Sequence, residues 1–332
     1  MQPEEPLLSV VTPFYNTEAY LAQCIESVLG QSYRRFEYIL VDNCSTDRSL
    51  EIAEHYARQD SRVRVVRNTA FLTQTQNLNH GLAQISKDSV YCKLVQADDF
   101  IFPDCLAEMV AVARAHPSVG VVGAYTLLGW KDHADVYLDG LPFPSAVTPG
   151  SEICRQFLLQ GRFVTGNPTC TMLRSDLVRG RRPFYNEVSP VEDVDVMFDL
   201  LHDTDFGFVH QVLTYTRREN DSIMSGWRTF GILTTMEIIG IRRYGPAYLT
   251  PGELHARRRD IERRYYRMLG ESLWQRRSPK YWGFHRQALA WSGKPLEWPR
   301  VVLHAGLAAL SRILNPLDTV MGVGRRLLRA AR

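Results

Sequence analysis

The chain has 332 residues, of which 45% are hydrophobic and 23% charged, enough for one large or two modest globular domains. No stretch reaches the roughly 18 uninterrupted apolar residues of a membrane span, and residues 1–6 lack the basic and apolar segments of a signal peptide. The net charge is only +3, but residues 1–240 carry −10 and residues 241–332 carry +13. This asymmetry indicates either a solvated basic surface or an anionic partner for the C-terminal part, such as lipid headgroups, an acidic glycan or nucleic acid.

Short apolar runs alternate with segments of helical spacing from residue 7 to residue 125. The apolar runs predict strands at residues 7–12, 36–41, 63–66, 90–95 and 119–125. Helical spacing and capping residues predict helices at residues 18–29, 45–56, 75–85 and 106–115. This alternation favours right-handed crossovers, so the predicted fold class is α/β, with a mainly parallel, Rossmann-like sheet flanked by helices.

Ligands of such sheets bind beyond the carboxyl ends of the strands, where this chain has polar side chains. The candidates are Asn16, Asp42, Asn43, Asn68, Asp98 and Asp99. Asp98 and Asp99 are the most informative, because two charges directly after a buried strand are costly unless they are neutralised. A Mg²⁺ or Mn²⁺ ion that carries a diphosphate would neutralise them. The alternative is that both aspartates cap the next helix, with Pro103 in its first turn.

The second half of the chain is less regular. Residues 126–150 contain five Gly or Pro and predict a long loop, residues 151–216 predict mixed structure, and residues 223–280 predict Arg-rich helices. Residues 301–328 form an apolar stripe interleaved with arginines, after Trp282, Trp291 and Trp298. We interpret this tail either as an amphipathic segment in an anionic membrane interface or as helices packed on the catalytic domain.

The six cysteines form no C-x-x-C pair, and several lie in apolar runs. This pattern predicts reduced thiols in a reducing compartment and argues against a structural zinc site. The chain also lacks G-x-G-x-x-G after a strand and lacks the P-loop pattern, so a classical dinucleotide fold is not expected. No nucleic-acid-binding module is recognisable, which predicts that nucleic acid is not a partner.

Four segments occur in an order and spacing that resemble a known family. They are Ser9-Val-Val-Thr-Pro-Phe-Tyr-Asn16, Ser27-Val-Leu-Gly-Gln-Ser-Tyr33, Phe36-Glu-Tyr-Ile-Leu-Val-Asp-Asn-Cys-Ser-Thr-Asp47 and Ala97-Asp-Asp99. Together they resemble the inverting glycosyltransferases of family 2, which have the GT-A fold. The close match covers about residues 7–110 and a looser one reaches about residue 225.

The resemblance implies roles for the first half of the chain. Pro13, Tyr15 and Asn16 are expected to line the nucleotide base and ribose, and Asp42 to accept a hydrogen bond from the base, which a carboxylate can do for a uracil or thymine ring N–H. A turn or cap role is the alternative for Asp42. Asp98 is expected near the ribose and the metal, and Asp99 as the metal ligand. Asn79 is the remaining candidate for a donor contact. Two departures from the family pattern leave the donor preference open: Asn43 stands where many members have aspartate, and Leu78 stands where a basic residue often precedes the asparagine.

The second half of the chain is expected to supply the general base of the reaction. Val191-Glu-Asp-Val-Asp195 opens a segment of helical spacing and resembles the Glu-Asp motif of the family. An inverting transfer needs a carboxylate to take the proton of the acceptor hydroxyl, and the resemblance assigns this role to Asp193, with Glu192 second. The alternative is that both acids only interact with the helix dipole.

Two further segments lie where relatives bind the acceptor and the diphosphate. Asn167 is expected beside the acceptor, although a simple turn is equally compatible with the sequence. Arg217 or Arg218 is expected to pair with the diphosphate. Asn220 stands where relatives often have a histidine, so a histidine metal ligand is not expected there.

These expectations define a GT-A catalytic domain at residues 1–222, in which residues 1–125 bind the nucleotide sugar and residues 126–222 the acceptor. Residues 223–332 are expected to form a basic helical extension. The predicted activity is transfer from a UDP-sugar, or second from a dTDP-sugar, to a hydroxyl of a saccharide or lipid-linked saccharide. The alternatives are a sugar nucleotidyltransferase and a non-catalytic nucleotide-sugar scaffold. The expected location is the cytoplasm, with peripheral attachment to the inner face of the cell membrane through the C-terminal region.

Overall fold

The computed structural model describes residues 4–130, 133–137, 140–162, 164–218 and 230–314. The chain divides into two compact units, residues 1–225 and 226–332. The first unit is an α/β domain built on one sheet. In the second unit every regular element that the structure describes is a helix. Among the described residues, no helix is both long and apolar enough to cross a membrane.

The first half of the N-terminal unit is a parallel sheet whose strand order is β3-β2-β1-β4. Its strands are β1 (Leu8–Phe14), β2 (Phe36–Asp42), β3 (Val63–Arg67) and β4 (Tyr91–Leu94). The connecting helices are α1 (Leu21–Leu29), α2 (Ser49–Gln59) and α3 (Gln74–Leu82). β1 and β2 are almost wholly buried because their apolar residues are covered on both faces, as in other parallel sheets. In this register Phe14 pairs with Asp42, so the two strands end side by side.

The second half extends the same sheet in the order β4-β9-β6-β10-β5. Its elements are β5 (Phe100–Ile101), α4 (Cys105–Ala115), β6 (Val119–Gly129), β7 (Ala134–Tyr137), β8 (Val147–Thr148), α5 (Gly150–Gln160), β9 (Thr171–Arg174), α6 (Ser175–Gly180), α7 (Glu192–Asp203) and β10 (Asp205–Arg217). β9 runs antiparallel between β4 and β6, whereas β6 and β10 are parallel. The predicted α/β class with helices on the sheet is confirmed. The late strands make the complete sheet mixed.

Three local predictions differ from the structure. Residues 126–150 are not one loop: β6 continues to Gly129, and β7 and β8 pair with β6 and β10. The short strand β5 separates Asp99 from α4, so Pro103 precedes that helix instead of lying in its first turn. The helix predicted from residue 45 begins at Ser49, because residues 45–47 form hydrogen bonds in the loops after β1 and β2. In each case a contact distant in sequence overrides the local pattern.

The C-terminal unit consists of α8 (Ile232–Arg243), α9 (Gly245–Tyr248), α10 (Pro251–Trp274), α11 (Pro279–Trp291) and α12 (Trp298–Leu314). Thr250 and Ser278 cap α10 and α11, and each cap is followed by a proline at the first helical position. The core of the unit contains Tyr265, whose hydroxyl lies 2.7 Å from Nδ1 of the fully buried His285. Burial lowers the pKa of His285 to about 4, so this histidine is a neutral core residue.

All six cysteines are unpaired in the structure, and five of them are buried. Burial raises the pKa of Cys24 and that of Cys92 to about 12. These thiols are therefore unreactive core groups at neutral pH.

Candidate active site

The loops that follow β1 and β2 are bound to each other at the carboxyl edge of the sheet. Asn16 has a positive φ of 49°, and its Oδ1 accepts a hydrogen bond from the Thr46 backbone N–H at 2.8 Å. Pro13 is half-buried at the end of β1, and Tyr15 is 44% exposed with its ring edge-on to Phe71. The structure thus brings these three predicted donor contacts to one edge, with the Tyr15 ring accessible to a ligand.

Asp42 is 4% exposed at the end of β2, and its Oδ1 accepts a hydrogen bond from Ser45 N at 3.1 Å. This is the turn role that the sequence offered as the alternative. The neighbouring Asn43 exchanges two hydrogen bonds of 2.9 Å with the backbone of Leu72 and also accepts one from Asn68. Asn43 and Asn68 therefore hold the loop that carries Phe71 beside the edge where Asp42 lies.

Asp99 lies at the centre of a hydrogen-bond network after β4. It is 3% exposed, its Oδ2 accepts from the Thr169 hydroxyl at 2.7 Å, and its Oδ1 accepts from Arg217 N at 3.0 Å. Burial, and then the charge of the adjacent Asp98, raise the pKa of Asp99 to about 7, although both hydrogen bonds favour the charged form. Burial and the second carboxylate beside it thus make the charged form of Asp99 costly to hold.

Thr169 is held by groups that the sequence did not single out. Its hydroxyl accepts from Gln96 N at 3.1 Å as well as donating to Asp99. Its carbonyl accepts from the ammonium group of Lys93 at 2.7 Å, and Lys93 also donates to the Thr171 carbonyl at 3.2 Å. Lys93 is fully buried in β4, and buried ammonium groups are costly without such acceptors. A lysine inside an apolar strand was the only signal of this network in the sequence.

The two predicted arginines differ in what their side chains touch. Arg217 donates from Nε to the Asp98 carbonyl at 3.1 Å and from Nη2 to Gln23 at 2.8 Å, and its guanidinium lies 4.5 Å from the centre of the Tyr20 ring. Arg218 donates its backbone N–H to the Gly129 carbonyl, whereas its buried Nε has no hydrogen-bond partner in the structure. The charge of Arg218 lowers the pKa of Asp99, so its side chain lies near that carboxylate. Residues 219–222 lie outside the described residues.

The donor set at Asp98 and Asp99 fits a hard divalent cation. Among the described residues, no group of three or more His, Cys, Asp or Glu side chains could hold a metal ion. Mg²⁺ and Mn²⁺ do not need such a group, because they commonly use one or two carboxylates together with substrate phosphates and water. Burial and the adjacent Asp98 carboxylate raise the pKa of Asp99, and a bound cation would favour its charged form.

A second acidic pair opens α7. Glu192 accepts a hydrogen bond from the Thr75 hydroxyl at 3.1 Å, and burial raises its pKa. Asp193 accepts from Val194 N at 2.9 Å. Burial, and then the charge of Glu192, raise the pKa of Asp193 to about 7. A carboxylate with this pKa can accept a proton near neutral pH and release it again, as a general base must.

The third acid of this helix has a different role. Asp195 is 2% exposed and accepts from the Ser189 hydroxyl at 2.6 Å, while Ser189 Oγ accepts from Val191 N at 3.1 Å. These bonds close the turn that leads into α7. They hold Val191 in place, and with it the start of the helix that carries the acidic pair.

Asn79 and Asn167 use their carboxamides within the protein. Asn79 Oδ1 accepts from Tyr185 N at 2.7 Å, and its Nδ2 donates to the Tyr185 carbonyl at 2.8 Å. Asn167 caps the 3-10 turn Pro168–Cys170 and donates to Thr216 at 2.9 Å. Asn79 thereby ties α3 to the segment before α7, and Asn167 ties the Thr169 turn to β10. Both carboxamides therefore link segments of the chain around the predicted site.

A family profile described as "Glycosyl transferase family 2" matches residues 9–180 of this chain. The match therefore contains the edge of the sheet with Asp42, Asp98 and Asp99 and the Thr169 turn, and it ends before α7. EpsE of Bacillus subtilis is 30% identical over 221 residues, which cover 65% of this chain and 74% of EpsE.

Two solved structures share the fold. Residues 1–349 of TarS from S. aureus, crystallised with UDP-GlcNAc, superpose with a TM-score of 0.61 at 18% identity, over 85% of this chain and 79% of that one. The mannosyltransferase PcManGT of Pyrobaculum calidifontis, in complex with GDP-Man and Mn²⁺, gives a TM-score of 0.55 at 17% identity, over 99% of this chain and 86% of that one. At these identities the likeness shows the architecture alone.

Proposed function

We propose, starting from the fact that this chain belongs to glycosyl transferase family 2 and is a glycosyltransferase, that it is an inverting enzyme. It moves a sugar from a nucleotide sugar to a hydroxyl group of a saccharide or lipid-linked saccharide. The observation that carries the proposal is the presence of two acidic pairs, Asp98–Asp99 after β4 and Glu192–Asp193 at the start of α7, in which Asp99 is buried and the other three acids are half-buried. In each pair, one pKa is raised to about 7.

The donor nucleotide is assigned to the edge formed by β1 and β2. Tyr15 offers its exposed ring to the base, Asp42 accepts from the base N–H, and Pro13 and Asn16 shape the wall. We rank UDP first and dTDP second because both bases have the ring N–H that a carboxylate needs. The complex of TarS with UDP-GlcNAc supports this ranking, while PcManGT binds GDP-Man, so the shared architecture alone does not select the base.

Asp99 and Asp98 would hold Mg²⁺ or Mn²⁺. When bound, this ion would offset the charge that develops on the leaving diphosphate. The Mn²⁺ in PcManGT supports the choice of metal. Of the two arginines, Arg218 is the better partner for the diphosphate, because the Arg217 guanidinium already donates to Gln23 and to the Asp98 carbonyl.

Asp193 acts as the general base. Its carboxylate removes the proton of the acceptor hydroxyl while the hydroxyl oxygen forms a bond to the anomeric carbon. The bond from that carbon to the diphosphate oxygen breaks on the opposite face, and the electron pair leaves with the diphosphate. Attack from the opposite face inverts the anomeric configuration. Glu192 is the second candidate, but its hydrogen bond to Thr75 favours a positioning role. Asn79 and Asn167 position the site through the bonds described above.

The acceptor and location remain those that the family resemblance implies: a growing polysaccharide or lipid-linked saccharide, met in the cytoplasm at the inner face of the membrane. The basic charge of residues 241–332 supports contact with an anionic surface. It is less compatible with a free soluble acceptor, which needs no such surface.

Two measurements test the proposed reaction. Thermal stabilisation by UDP, dTDP, GDP and their sugars, with and without Mn²⁺, should be metal-dependent and largest for the uridine series. The anomeric configuration of the product, read by NMR against that of the donor, should be inverted. Retention of configuration would exclude the single-displacement mechanism, and stabilisation by guanosine nucleotides alone would overturn the ranking of UDP and dTDP.

A further inference from the structure

The last helix of the C-terminal unit is fixed against α10 by one side. Val301 and Ala305 of α12 are 0% and 6% exposed. Gly270 of α10 permits the close approach, since a Cβ there would lie 2.6 Å from the backbone nitrogen of Ala305. Trp274 Nε1 donates to the Ala305 carbonyl at 3.0 Å. These contacts determine which side of α12 faces outward.

The outward side of α12 is apolar. We name it the outer stripe, and it consists of Val302, Leu303, Leu307, Leu310 and Leu314. These side chains are 51% to 68% exposed. The four leucines follow the spacing of a single helix face, opposite Val301 and Ala305. A helix that is apolar on both sides is normally covered on both sides, so the outer stripe has the character of a contact surface.

The unit that carries the outer stripe has partly exposed tryptophans and a positive net charge. Trp274, the last residue of α10, is 56% exposed, and Trp298, the first residue of α12, is 44% exposed. Burial, and then the charges of Arg300 in α12 and Arg267 in α10, lower the pKa of His304, and these arginines form ion pairs with Glu262 and Glu271. The described residues 230–314 contain 15 Lys or Arg and 6 Asp or Glu, a balance of +9. An exposed apolar helix face on a basic unit with partly exposed tryptophans is typical of helices that lie in a membrane interface.

We propose that the outer stripe inserts into the surface of a bilayer that contains anionic lipid, with α12 lying parallel to the membrane plane. The positive charge of the unit selects this occupant over a second copy of the chain, because two units of +9 would repel each other. The proposal deepens the proposed function, since a lipid-linked acceptor would be met at the same surface. Binding itself does not depend on the sugar transferred.

The test is sedimentation of the 332-residue chain with vesicles of phosphatidylcholine alone or mixed with phosphatidylglycerol. We expect binding only to the anionic vesicles, with an apparent affinity that falls as salt is added. The double variant Leu307→Gln/Leu310→Gln should lose vesicle affinity by about tenfold or more, because two leucines no longer enter the apolar layer. The matched control is Leu233→Gln in α8, a leucine that is 68% exposed but lies outside the outer stripe.

Each outcome decides the proposal. Loss of vesicle binding in the double variant, but not in the control, supports it. Equal binding by the double variant and the wild type overturns it, as does equal binding to both kinds of vesicle. A stable dimer that the double variant dissociates, without vesicle binding, would assign the outer stripe to a second copy. Hydrolysis of the nucleotide sugar, measured without vesicles, should be unchanged in both variants, and its absence from the wild type would count against the proposed function alone.

Discussion

The two acidic pairs of the N-terminal unit reach a similar pKa in different surroundings. Asp99 is almost fully buried, and both of its oxygens accept hydrogen bonds, from Thr169 and from the backbone of Arg217. Asp193 is half-buried at the start of a helix and accepts from its neighbour Val194. The first arrangement fixes the direction of a carboxylate, which suits a metal ligand. The second leaves a half-buried carboxylate with a single hydrogen bond from the adjacent backbone, which suits proton transfer. Equal pKa values therefore do not imply equal roles.

The strongest test of this difference is Asp193→Asn. The amide cannot accept the proton of the acceptor hydroxyl, so turnover should fall by roughly 10²–10⁴-fold. Binding of the nucleotide and metal should be unchanged, as measured by calorimetry. Glu192→Gln should cost less. A larger loss of turnover in Glu192→Gln than in Asp193→Asn would assign the general base to Glu192.

Asp99→Asn tests the other pair. We expect Mn²⁺ affinity in the presence of UDP to fall by roughly 100-fold or more, because the charged ligand is removed from a small donor set. Titration calorimetry measures the affinity directly. The control is Asp88→Asn, an exposed aspartate before β4, at the other end of that strand. Unchanged metal affinity in Asp99→Asn would contradict the metal assignment.

Thr169→Val asks whether the direction of the Asp99 carboxylate matters. The substitution removes the hydroxyl that donates to Asp99 but keeps the shape of the side chain. Partners of metal ligands typically contribute about 10- to 100-fold to metal affinity, and we expect a loss in that range. Thr171→Val is the matched control, because Thr171 lies two residues away and its hydroxyl contacts the Pro168 carbonyl. Equal effects of the two substitutions would indicate a general loss of packing instead.

The smallest effect is on the pH dependence of kcat, measured with donor and metal at saturation. The pKa of Asp193 is raised from 3.8 to about 7, so the carboxylate becomes protonated, and inactive as a base, as the pH falls below about 7. The rate should decrease about tenfold per pH unit below that value and level off above it. The residual activity of Asp193→Asn should lack this slope. A rate that stays flat down to pH 5 would show that Asp193 is not the group that titrates.

The sequence alone determined the first half of the fold and most of the candidate site residues. Hydrophobic periodicity reports which faces are buried, and it predicted β1 to β4 and the helices between them to within a few residues. It also predicted which polar side chains follow these strands, because that position depends only on where each strand ends. The resemblance to family 2 depends on the same segments, and the family profile covers them.

Only the tertiary structure decided how these residues are supported. Thr169 is 70 residues from Asp99, and Tyr185 is 106 residues from Asn79, so no local pattern reports either hydrogen bond. The antiparallel insertion of β9 brings the Thr169 turn to Asp99, with Lys93 beneath it. Secondary structure follows from local spacing, whereas a carboxylate becomes a metal ligand or a base through its burial and its distant hydrogen-bond partners. These depend on the complete fold.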